Sequence, residues 1–314
     1  MMLNFKVSIL LLLLPFFVVL SSCNSDKSNE TSDGKPLIVC TTGMLGDALQ
    51  NLLGDQATVV SLMGPGVDPH LYKATQGDLA KLQNADLIIY NGLYLEGKMA
   101  EVMQKLSRQK TIIPAAELLP NDKIRYTVDN VTDPHIWFDV SLWADMLQLL
   151  IPALEDTNLF DAEALQQNGD RFIQELRELD KWTATEINTI PSDKRVLVTA
   201  HDAFQYFGLA YDIEVYGLQG LSTLSEFGLR DVSDLVSFLV ERKISSIYIE
   251  SSVSDKAINA VVEGCKAEGH DVKIGGSLFS DAMGEAGTEK GTYIGMVKHN
   301  VSIIVAGLGG QNEQ

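Results

Sequence analysis

Short apolar runs alternate with amphipathic stretches along most of the chain. Runs such as Leu-Ile-Ile-Tyr at 87–90 are apolar on both faces, which is typical of buried strands in a parallel sheet. The pattern predicts strands at residues 37–41, 57–62, 87–90, 111–114, 196–199, 213–217, 246–250 and 272–274. Helical patterns separate them, at residues 47–53, 78–82, 95–106, 232–242, 257–268 and 292–305. This alternation predicts an α/β fold with mostly parallel sheets.

A long helical segment separates the two α/β halves. Residues 141–189 contain one glycine, Gly169, and one proline, Pro152. Apolar side chains recur there at the helical period, at Phe172, Ile173, Leu176, Leu179 and Trp182. They predict a helix over residues 161–190, about 45 Å long at 1.5 Å per residue. Such a helix is stiff, so we expect it to limit motion between the halves.

These patterns divide the chain into five parts, with two folded lobes. The length of 314 residues also favours two domains, at roughly 100–200 residues each. We expect a signal peptide, a flexible tether, an N-terminal lobe, a helical linker and a C-terminal lobe, covering residues 1–22, 23–35, 36–140, 141–190 and 191–314.

The N-terminus has the pattern of an export signal. Lys6 precedes an apolar run over residues 7–20, which is shorter than the approximately 20 residues of a relaxed membrane-spanning helix. The run ends in Leu-Ser-Ser-Cys, which resembles a bacterial lipobox, in which the cysteine is acylated. Cys23 is therefore the predicted lipidation site; the alternative is an ordinary signal with an incidental cysteine. Residues 24–35 contain no apolar side chain and predict a flexible tether.

The charge balance restricts the possible partners. The chain has 24 Lys and Arg against 42 Asp and Glu, a formal net charge of −18. Nucleic-acid binders need basic surface, so nucleic acid is excluded as a partner. An anionic membrane surface would repel the protein, so membrane attachment is expected through the lipid anchor only. Beyond Cys23, the cysteines Cys40 and Cys265 are expected to be buried thiols rather than a disulfide.

Three of the five histidines have the sequence context of a binding site. His70 and His135 each end an Asp-Pro-His tripeptide, and His201 directly follows an apolar strand. Ligands of open α/β sheets bind at the carboxyl ends of the strands, where His201 is expected. Proline restricts the backbone before each histidine, and the aspartate two positions earlier can bond a ring nitrogen. The residues alone leave two interpretations open, a metal site and hydrogen-bonded bystander histidines.

Several longer motifs resemble one known family. The sequence is similar, from about residue 36 to residue 308, to the zinc/manganese solute-binding proteins of ABC importers, the TroA/ZnuA/PsaA-like group. The matching segments, in chain order, are His-Leu-Tyr at 70–72, Ala-Asp-Leu-Ile-Ile-Tyr-Asn-Gly at 85–92, Asp-Pro-His-Ile-Trp-Phe-Asp at 133–139, Thr-Ala-His-Asp-Ala-Phe at 199–204, Ile-Glu-Ser-Ser at 249–252 and Leu-Phe-Ser-Asp at 278–281.

This resemblance implies a fold, a site and a function. It implies two lobes joined by one long rigid helix, and a non-enzymatic, monomeric, lipid-anchored protein outside the cytoplasm. It implies metal ligands His70 and His135 from the N-terminal lobe, and His201 and Asp281 from the C-terminal lobe. The cargo would be Zn²⁺ or Mn²⁺, passed to an ABC permease with its ATPase. A secondary adhesin role stays open.

The implied metal is left open between zinc and manganese. Residues 118–132 contain no histidine, whereas zinc-dedicated members often have a histidine-rich loop before the second ligand. Many manganese-dedicated members have glutamate at the position of His201. Three imidazoles and one carboxylate suit zinc and tolerate manganese, and protons compete for imidazoles from about pH 6.5 downward.

Two other functions compete with metal transport. A metallo-hydrolase would keep an open coordination position with three protein ligands and a water, and a haem- or siderophore-binding relative would share the long-helix architecture. Glu250, at the end of a predicted strand, is either a fifth oxygen ligand or a structural carboxylate satisfied by backbone N–H groups, which we favour. Core packing is favoured over an aromatic ligand cage for the three tryptophans, Trp137, Trp143 and Trp182.

Overall fold

The structure, a computed structural model, describes residues 34–225 and 227–311. The predicted signal peptide, Cys23 and most of the tether lie outside the described residues. In the part that is described, none of the helices combines the length and the apolar character needed to cross a bilayer.

All eight predicted strands are present, within a few residues of their predicted ends. They are β1 (Leu37–Cys40), β2 (Thr58–Ser61), β3 (Leu87–Tyr90), β4 (Ile112–Pro114), β5 (Val196–His201), β6 (Glu214–Gln219), β7 (Ser246–Glu250) and β8 (Lys273–Leu278). The helices are α1 (Gly43–Leu53), α2 (Gln76–Asn84), α3 (Ala100–Leu106), α4 (Val140–Glu155), α5 (Ala162–Asn188), α6 (Gln205–Tyr211), α7 (Leu229–Arg242), α8 (Lys256–Ala267) and α9 (Tyr293–Leu308).

Two differences from the predicted helices are local. The helix predicted from residue 95 begins with a 3-10 turn, Gly97–Met99, because Leu93 and Tyr94 before it have positive φ angles of 52° and 65°. Helix α6 was not predicted, since its seven residues are too short to show the helical period.

Parallel pairing confirms the α/β fold. In the N-terminal lobe the strand order is β2-β1-β3-β4, all parallel. In the C-terminal lobe β5 pairs with β6 and β7 with β8, again in parallel, and β5 lies beside β7. We call β1–β4 with α1–α3 the N-lobe, and β5–β8 with α6–α9 the C-lobe; the residue boundaries between the parts of the chain stay predictions.

The long connecting helix is α5, whose 27 residues span about 40 Å. It begins where Asp161 caps it by accepting a hydrogen bond from the backbone N–H of Ala164. Its apolar face is buried along the whole length, including Leu165, Phe172 and Leu176. Helix α5 packs against both α1 and α9, so it joins the lobes through side contacts as well as through the chain.

One hydrophobic core runs through both lobes. The largest cluster of buried apolar side chains includes Ile38 and Leu49 of the N-lobe, Leu176 of α5 and Ile304 of the C-lobe. Separating the lobes widely would expose the apolar surface of this cluster to water. The free-energy cost would be about 25 cal/mol for each Å² of apolar surface exposed. The fold therefore favours small displacements of the lobes.

Gly217 in β6 allows the chain to turn closely after β5. A Cβ atom at Gly217 would lie 2.4 Å from the backbone nitrogen of Asp202 and 2.6 Å from the carbonyl carbon of His201. These neighbours are backbone atoms, which cannot rotate away as a side-chain tip can. Glycine is therefore required where β6 passes the carboxyl end of β5.

We expect Gly217→Ala to lower the free energy of unfolding by about 1–3 kcal/mol, because the added methyl group forces the two backbone segments apart. Urea denaturation would measure the change. Gly220→Ala is the matched control, since a Cβ atom there meets nothing within 4 Å. Equal stability of the two variants would contradict the close approach.

Candidate metal centre

The four residues singled out by the sequence lie together between the lobes. One possible ligand atom from each of His70, His135, His201 and Asp281 falls within 4.8 Å of all the others. Their side chains are at most 3% exposed. Residues separated by more than 200 positions thus form one buried cluster of three imidazoles and one carboxylate.

The parallel topology explains this convergence. His70 lies in the loop after β2, His135 directly precedes a 3-10 turn at Ile136–Phe138, and His201 is the last residue of β5. Asp281 follows β8 by three residues. His201 thus lies at the carboxyl end of a parallel strand and Asp281 shortly after one, at the edge where α/β folds bind ligands, whereas His70 and His135 reach this edge from longer loops.

The distances between the ligand atoms fit a four-coordinate ion. His70 Nε2 lies 3.3 Å from His135 Nε2. Asp281 Oδ2 lies 3.3 Å from His201 Nε2 and 3.7 Å from His70 Nε2, and Asp281 Oδ1 lies 3.6 Å from His135 Nε2. Donors about 2.0–2.2 Å from a tetrahedral ion are about 3.3–3.6 Å apart. The side chains therefore need little rearrangement to bind a metal.

Several buried polar atoms in the cluster also point to a cation. His201 Nε2 and both carboxylate oxygens of Asp281 make no well-aligned hydrogen bond within the described ranges, and the nearest contact among them is the 3.3 Å approach of His201 Nε2 to Asp281 Oδ2. Burying such groups without a partner is unfavourable by a few kcal/mol each. A cation at the centre of the cluster would satisfy all three atoms at once.

Glu250 fixes the orientation of His201. Its Oε2 lies 2.5 Å from His201 Nδ1, and its Oε1 accepts the backbone N–H of His201 at 2.8 Å. Nδ1 therefore carries a hydrogen toward Glu250, and Nε2 faces the cluster. The hydrogen bond from the His201 backbone N–H agrees with the favoured interpretation of Glu250 as a structural carboxylate. The contact of Glu250 with the His201 ring was not predicted. The adjacency of β5 and β7 creates that contact, and nothing in the local sequence reveals it.

Asp133 fixes the orientation of the His135 ring in the same way. Asp133 Oδ1 lies 2.8 Å from His135 Nδ1, which confirms the ring contact expected for an Asp-Pro-His tripeptide. Its other oxygen, Oδ2, accepts a hydrogen bond from Arg125 at 3.3 Å. Arg125 also donates to Gln205 of α6, so this carboxylate belongs to a polar chain that links the two lobes.

His70 differs, although it has the same tripeptide. Asp68 Oδ1 accepts the backbone N–H of His70 at 2.8 Å, and Asp68 Oδ2 accepts the Thr223 hydroxyl of the C-lobe at 2.6 Å. The ring contact expected here is therefore absent from the described hydrogen bonds of Asp68. The carboxylate instead joins the His70 loop to the opposite lobe.

The surroundings shift the pKa values of the candidate ligands in opposite directions. Burial lowers the pKa of His70 to about 4. Burial also opposes charge on His201, but the Glu250 and Asp281 carboxylates outweigh it and raise its pKa well above the usual value. Burial likewise disfavours the Asp281 carboxylate, but the His201 imidazolium outweighs it and holds the pKa of Asp281 well below its usual range. Protons therefore compete more strongly for His201 than for His70.

The tryptophans and cysteines have packing roles. Trp137 lies edge-on to the His135 ring at 5.2 Å and donates its Nε1–H to the carbonyl of Ser280 across the lobes. Trp143 is fully buried, and Trp182 packs half-buried against the core. The packing interpretation is confirmed for all three. The two cysteines of the described ranges, Cys40 and Cys265, are free and buried, as predicted.

Two α/β lobes joined by a long helix, with a buried three-histidine, one-aspartate cluster between them, define the class of two-lobe solute-binding proteins suited to a divalent metal. Residues 38–307 match the family described as zinc-uptake complex component A, periplasmic. The match covers most of the chain, so the protein belongs to this family.

Individual relatives match the sequence of this chain over nearly their full lengths. The chain is 48% identical to the manganese-binding lipoprotein MntA of Bacillus subtilis, over 92% of this chain and 95% of that protein. It is 46% identical to the zinc-binding protein TroA of Treponema pallidum, over 89% and 91%. A solved structure of the latter, described as a periplasmic zinc-binding protein, superposes with a TM-score of 0.83 over 88% of this chain and 99% of that one.

The contact between Glu250 and His201 predicts a particular pH dependence of metal affinity. Because the metal-free His201 keeps its proton to a higher pH than usual, affinity should fall about tenfold per pH unit below its pKa. Glu250→Gln lowers that pKa and loses the fixed ring orientation. We expect this variant to bind about 10–100-fold more weakly at pH 8, but to lose less affinity between pH 8 and pH 6.

Competition titrations with a zinc-sensitive dye, repeated across this pH range, would measure both effects. Glu214→Gln is the control, because Glu214 lies at the amino end of β6 and pairs with Arg242. Parallel pH profiles for the wild type and Glu250→Gln would contradict the assigned role of Glu250.

Proposed function

We propose that the protein is the extracytoplasmic solute-binding component of an ABC importer, which captures Zn²⁺ or Mn²⁺ and delivers it to a permease with its ATPase. The observation that carries this proposal is the convergence of His70, His135, His201 and Asp281 at tetrahedral spacing, with two ligands from each lobe. Relatives over the full folded length are named as manganese- and zinc-binding proteins, which supports the same conclusion.

The proposed ligand set can bind either Zn²⁺ or Mn²⁺, and its chemistry predicts which of the two binds more tightly. Imidazole nitrogens suit Zn²⁺, while the Asp281 carboxylate is a donor that Mn²⁺ also accepts. The Irving–Williams order places Zn²⁺ above Mn²⁺ in intrinsic affinity. Which metal is carried in the cell then depends on availability as well as on affinity.

Four protein ligands favour transport over catalysis. A catalytic zinc site keeps one position for water or substrate, whereas this cluster supplies all four donors of a tetrahedral ion. The metallo-hydrolase alternative is therefore not favoured, and membership of the solute-binding family supports the same choice.

Ligands from both lobes also suggest how the ion is released. Docking on the permease must withdraw at least one ligand, because four buried donors would otherwise hold the ion. The core shared by the lobes limits this movement to a small displacement or to one loop.

We further propose that the mature protein is a monomer held at a bacterial membrane by a lipid on Cys23. The lipobox-like residues 20–23 and the polar tether support this anchor. Several relatives are named lipoproteins, which supports it as well. The tether, at about 3.5 Å per residue, would let the body reach a permease in the same membrane.

Metal binding should stabilise the folded protein strongly, since the cluster does not exist in the unfolded chain. At free metal about 1,000 times Kd, linkage adds about 4 kcal/mol, a rise in melting temperature of roughly 10 °C. Calorimetry of chelator-treated protein with and without Zn²⁺ or Mn²⁺ tests this. Asp281→Ala should lose most of the shift, and Asp271→Ala, an exposed aspartate, should keep it. A wild-type melting point unmoved by both metals would refute the proposed function.

Cys23→Ala should give soluble, unacylated protein with unchanged metal affinity, because the tether separates the anchor from the folded lobes. Membrane fractionation and intact-mass measurement would compare it with the wild type. Wild-type protein in the soluble fraction, without added lipid mass, would exclude the anchor.

A further inference from the structure

Trp137 connects the two sides of the metal centre through a hydrogen bond between the lobes. It lies two residues after His135, in the 3-10 turn Ile136–Phe138, and its side chain is fully buried. Its indole Nε1–H donates to the backbone carbonyl of Ser280 at 3.0 Å. Ser280 directly precedes Asp281, so this bond joins the chain beside a candidate histidine ligand of one lobe to the chain beside the candidate carboxylate ligand of the other.

The C-lobe fixes the backbone around Asp281 from its own side. Asn300 of α9 accepts the backbone N–H of Phe279 at 2.9 Å and donates its side-chain amide to the Phe279 carbonyl at 2.7 Å. The Ser252 hydroxyl accepts the backbone N–H of Asp281 at 3.4 Å. These contacts lie within one lobe, so they set Asp281 relative to the C-lobe and not relative to the histidines of the N-lobe.

The position of Asp281 relative to those histidines depends on Trp137. In the described part of the chain, the indole bond is the one hydrogen bond that residues 279–281 receive from the other lobe. Both the indole and the Ser280 carbonyl are closed off from water, because both residues are fully buried. Loss of the donor would therefore leave a buried carbonyl without a partner, which favours movement of the segment.

Trp137 is itself held in place by its neighbours. Its backbone carbonyl accepts the hydroxyl of Tyr293, the first residue of α9, at 2.7 Å. Its ring lies edge-on to the His135 ring, with the ring centroids 5.2 Å apart. A buried side chain with these contacts has few alternative positions, so the indole N–H keeps a set distance from the histidine side of the centre.

We propose that Trp137 is a positioning residue, which sets the distance between the Asp281 carboxylate and the histidines and thereby favours Zn²⁺ over Mn²⁺. Zn²⁺ in a closed site takes four donors at tetrahedral spacing, whereas Mn²⁺ suits larger, oxygen-rich ligand sets. A carboxylate that shifts from its tetrahedral position therefore weakens Zn²⁺ binding more than Mn²⁺ binding. The inference rests on the proposed function, since it assigns a selectivity to the same site.

Trp137→Phe tests this role, because it keeps an aromatic ring in the core and removes the indole donor. We expect the variant to bind Zn²⁺ about tenfold more weakly, as for the loss of other hydrogen bonds that orient metal ligands. Mn²⁺ binding should weaken by no more than about threefold. Competition titrations with both metals at one pH would measure the ratio of the two affinities, which should narrow.

Trp143→Phe is the matched control. Trp143 is also fully buried, but its Nε1–H has no hydrogen-bond partner among the described residues. Both substitutions remove an indole from the core and lower the melting temperature of the metal-free protein, but only Trp137→Phe should change the affinity ratio. A ratio that changes equally in the two variants, or in neither, would overturn the proposal.

A double-mutant cycle tests whether Trp137 acts through Asp281. Asp281→Ala removes the carboxylate, so adding Trp137→Phe to that variant should weaken the residual Zn²⁺ binding no further. A further tenfold loss in the double variant would mean that Trp137 acts through His135 or through the fold as a whole, and the proposal would be wrong.

Visible absorption of bound Co²⁺, a spectroscopic substitute for Zn²⁺, reports the coordination geometry independently of affinity. We expect Trp137→Phe to weaken the intense bands of a tetrahedral site and Trp143→Phe to keep them. Unchanged bands in Trp137→Phe would also overturn the proposal. Failure of the wild type to bind any of these metals would refute the proposed function instead, and titration of the wild type separates the two results.

A milder variant covers the case in which Trp137→Phe does not fold. Tyr293→Phe removes only the hydroxyl that holds the Trp137 carbonyl. We expect it to narrow the affinity ratio in the same direction by a smaller factor, because the indole is then less firmly placed. An unchanged ratio in a folded Tyr293→Phe variant would contradict the proposal.

Discussion

The continuous hydrophobic core is the constraint on which the metal site depends. Helix α5 packs on α1 of one lobe and α9 of the other, so the lobes are fixed relative to each other by buried apolar surface. The four residues of the candidate site come two from each lobe, and their side chains stay close together only while the lobes hold this arrangement. The core therefore sets the coordination geometry before the ion arrives, which lowers the cost of ordering the site on binding.

Three chemically identical ligands are given different properties by their neighbours. His201 faces the buried carboxylate of Glu250, and His135 faces Asp133, whose charge is shared with Arg125. Among the described hydrogen bonds, Asp68 contacts His70 through the backbone N–H and not through the ring. The donor strength of an imidazole depends on the group that accepts its other ring hydrogen. The site thus has a graded set of nitrogen donors, even though its composition is simply three histidines.

The sequence was most informative where local pattern decides the structure. Buried parallel strands need apolar side chains on both faces, so runs such as residues 87–90 located the central strands, while β6 and β8, which are partly exposed, were located from shorter apolar runs. The four clustered residues were found through family motifs, because their mutual distances depend on strand order. The same reason explains what was missed. The Glu250 contact requires β5 beside β7, and the identical tripeptides at His70 and His135 differ because Thr223 approaches only one of them.

The pairing of His201 with Glu250 determines how the charge of the site changes when an ion binds or leaves. An imidazole that keeps its proton in the empty protein must give it up when the ion binds, so loading replaces one positive charge by two. Unloading must run in reverse, and a proton has to reach His201 as the metal departs. Under the proposed function, delivery of the ion to a permease would be an exchange of ion for proton, and it would require water to reach a residue that is fully buried here.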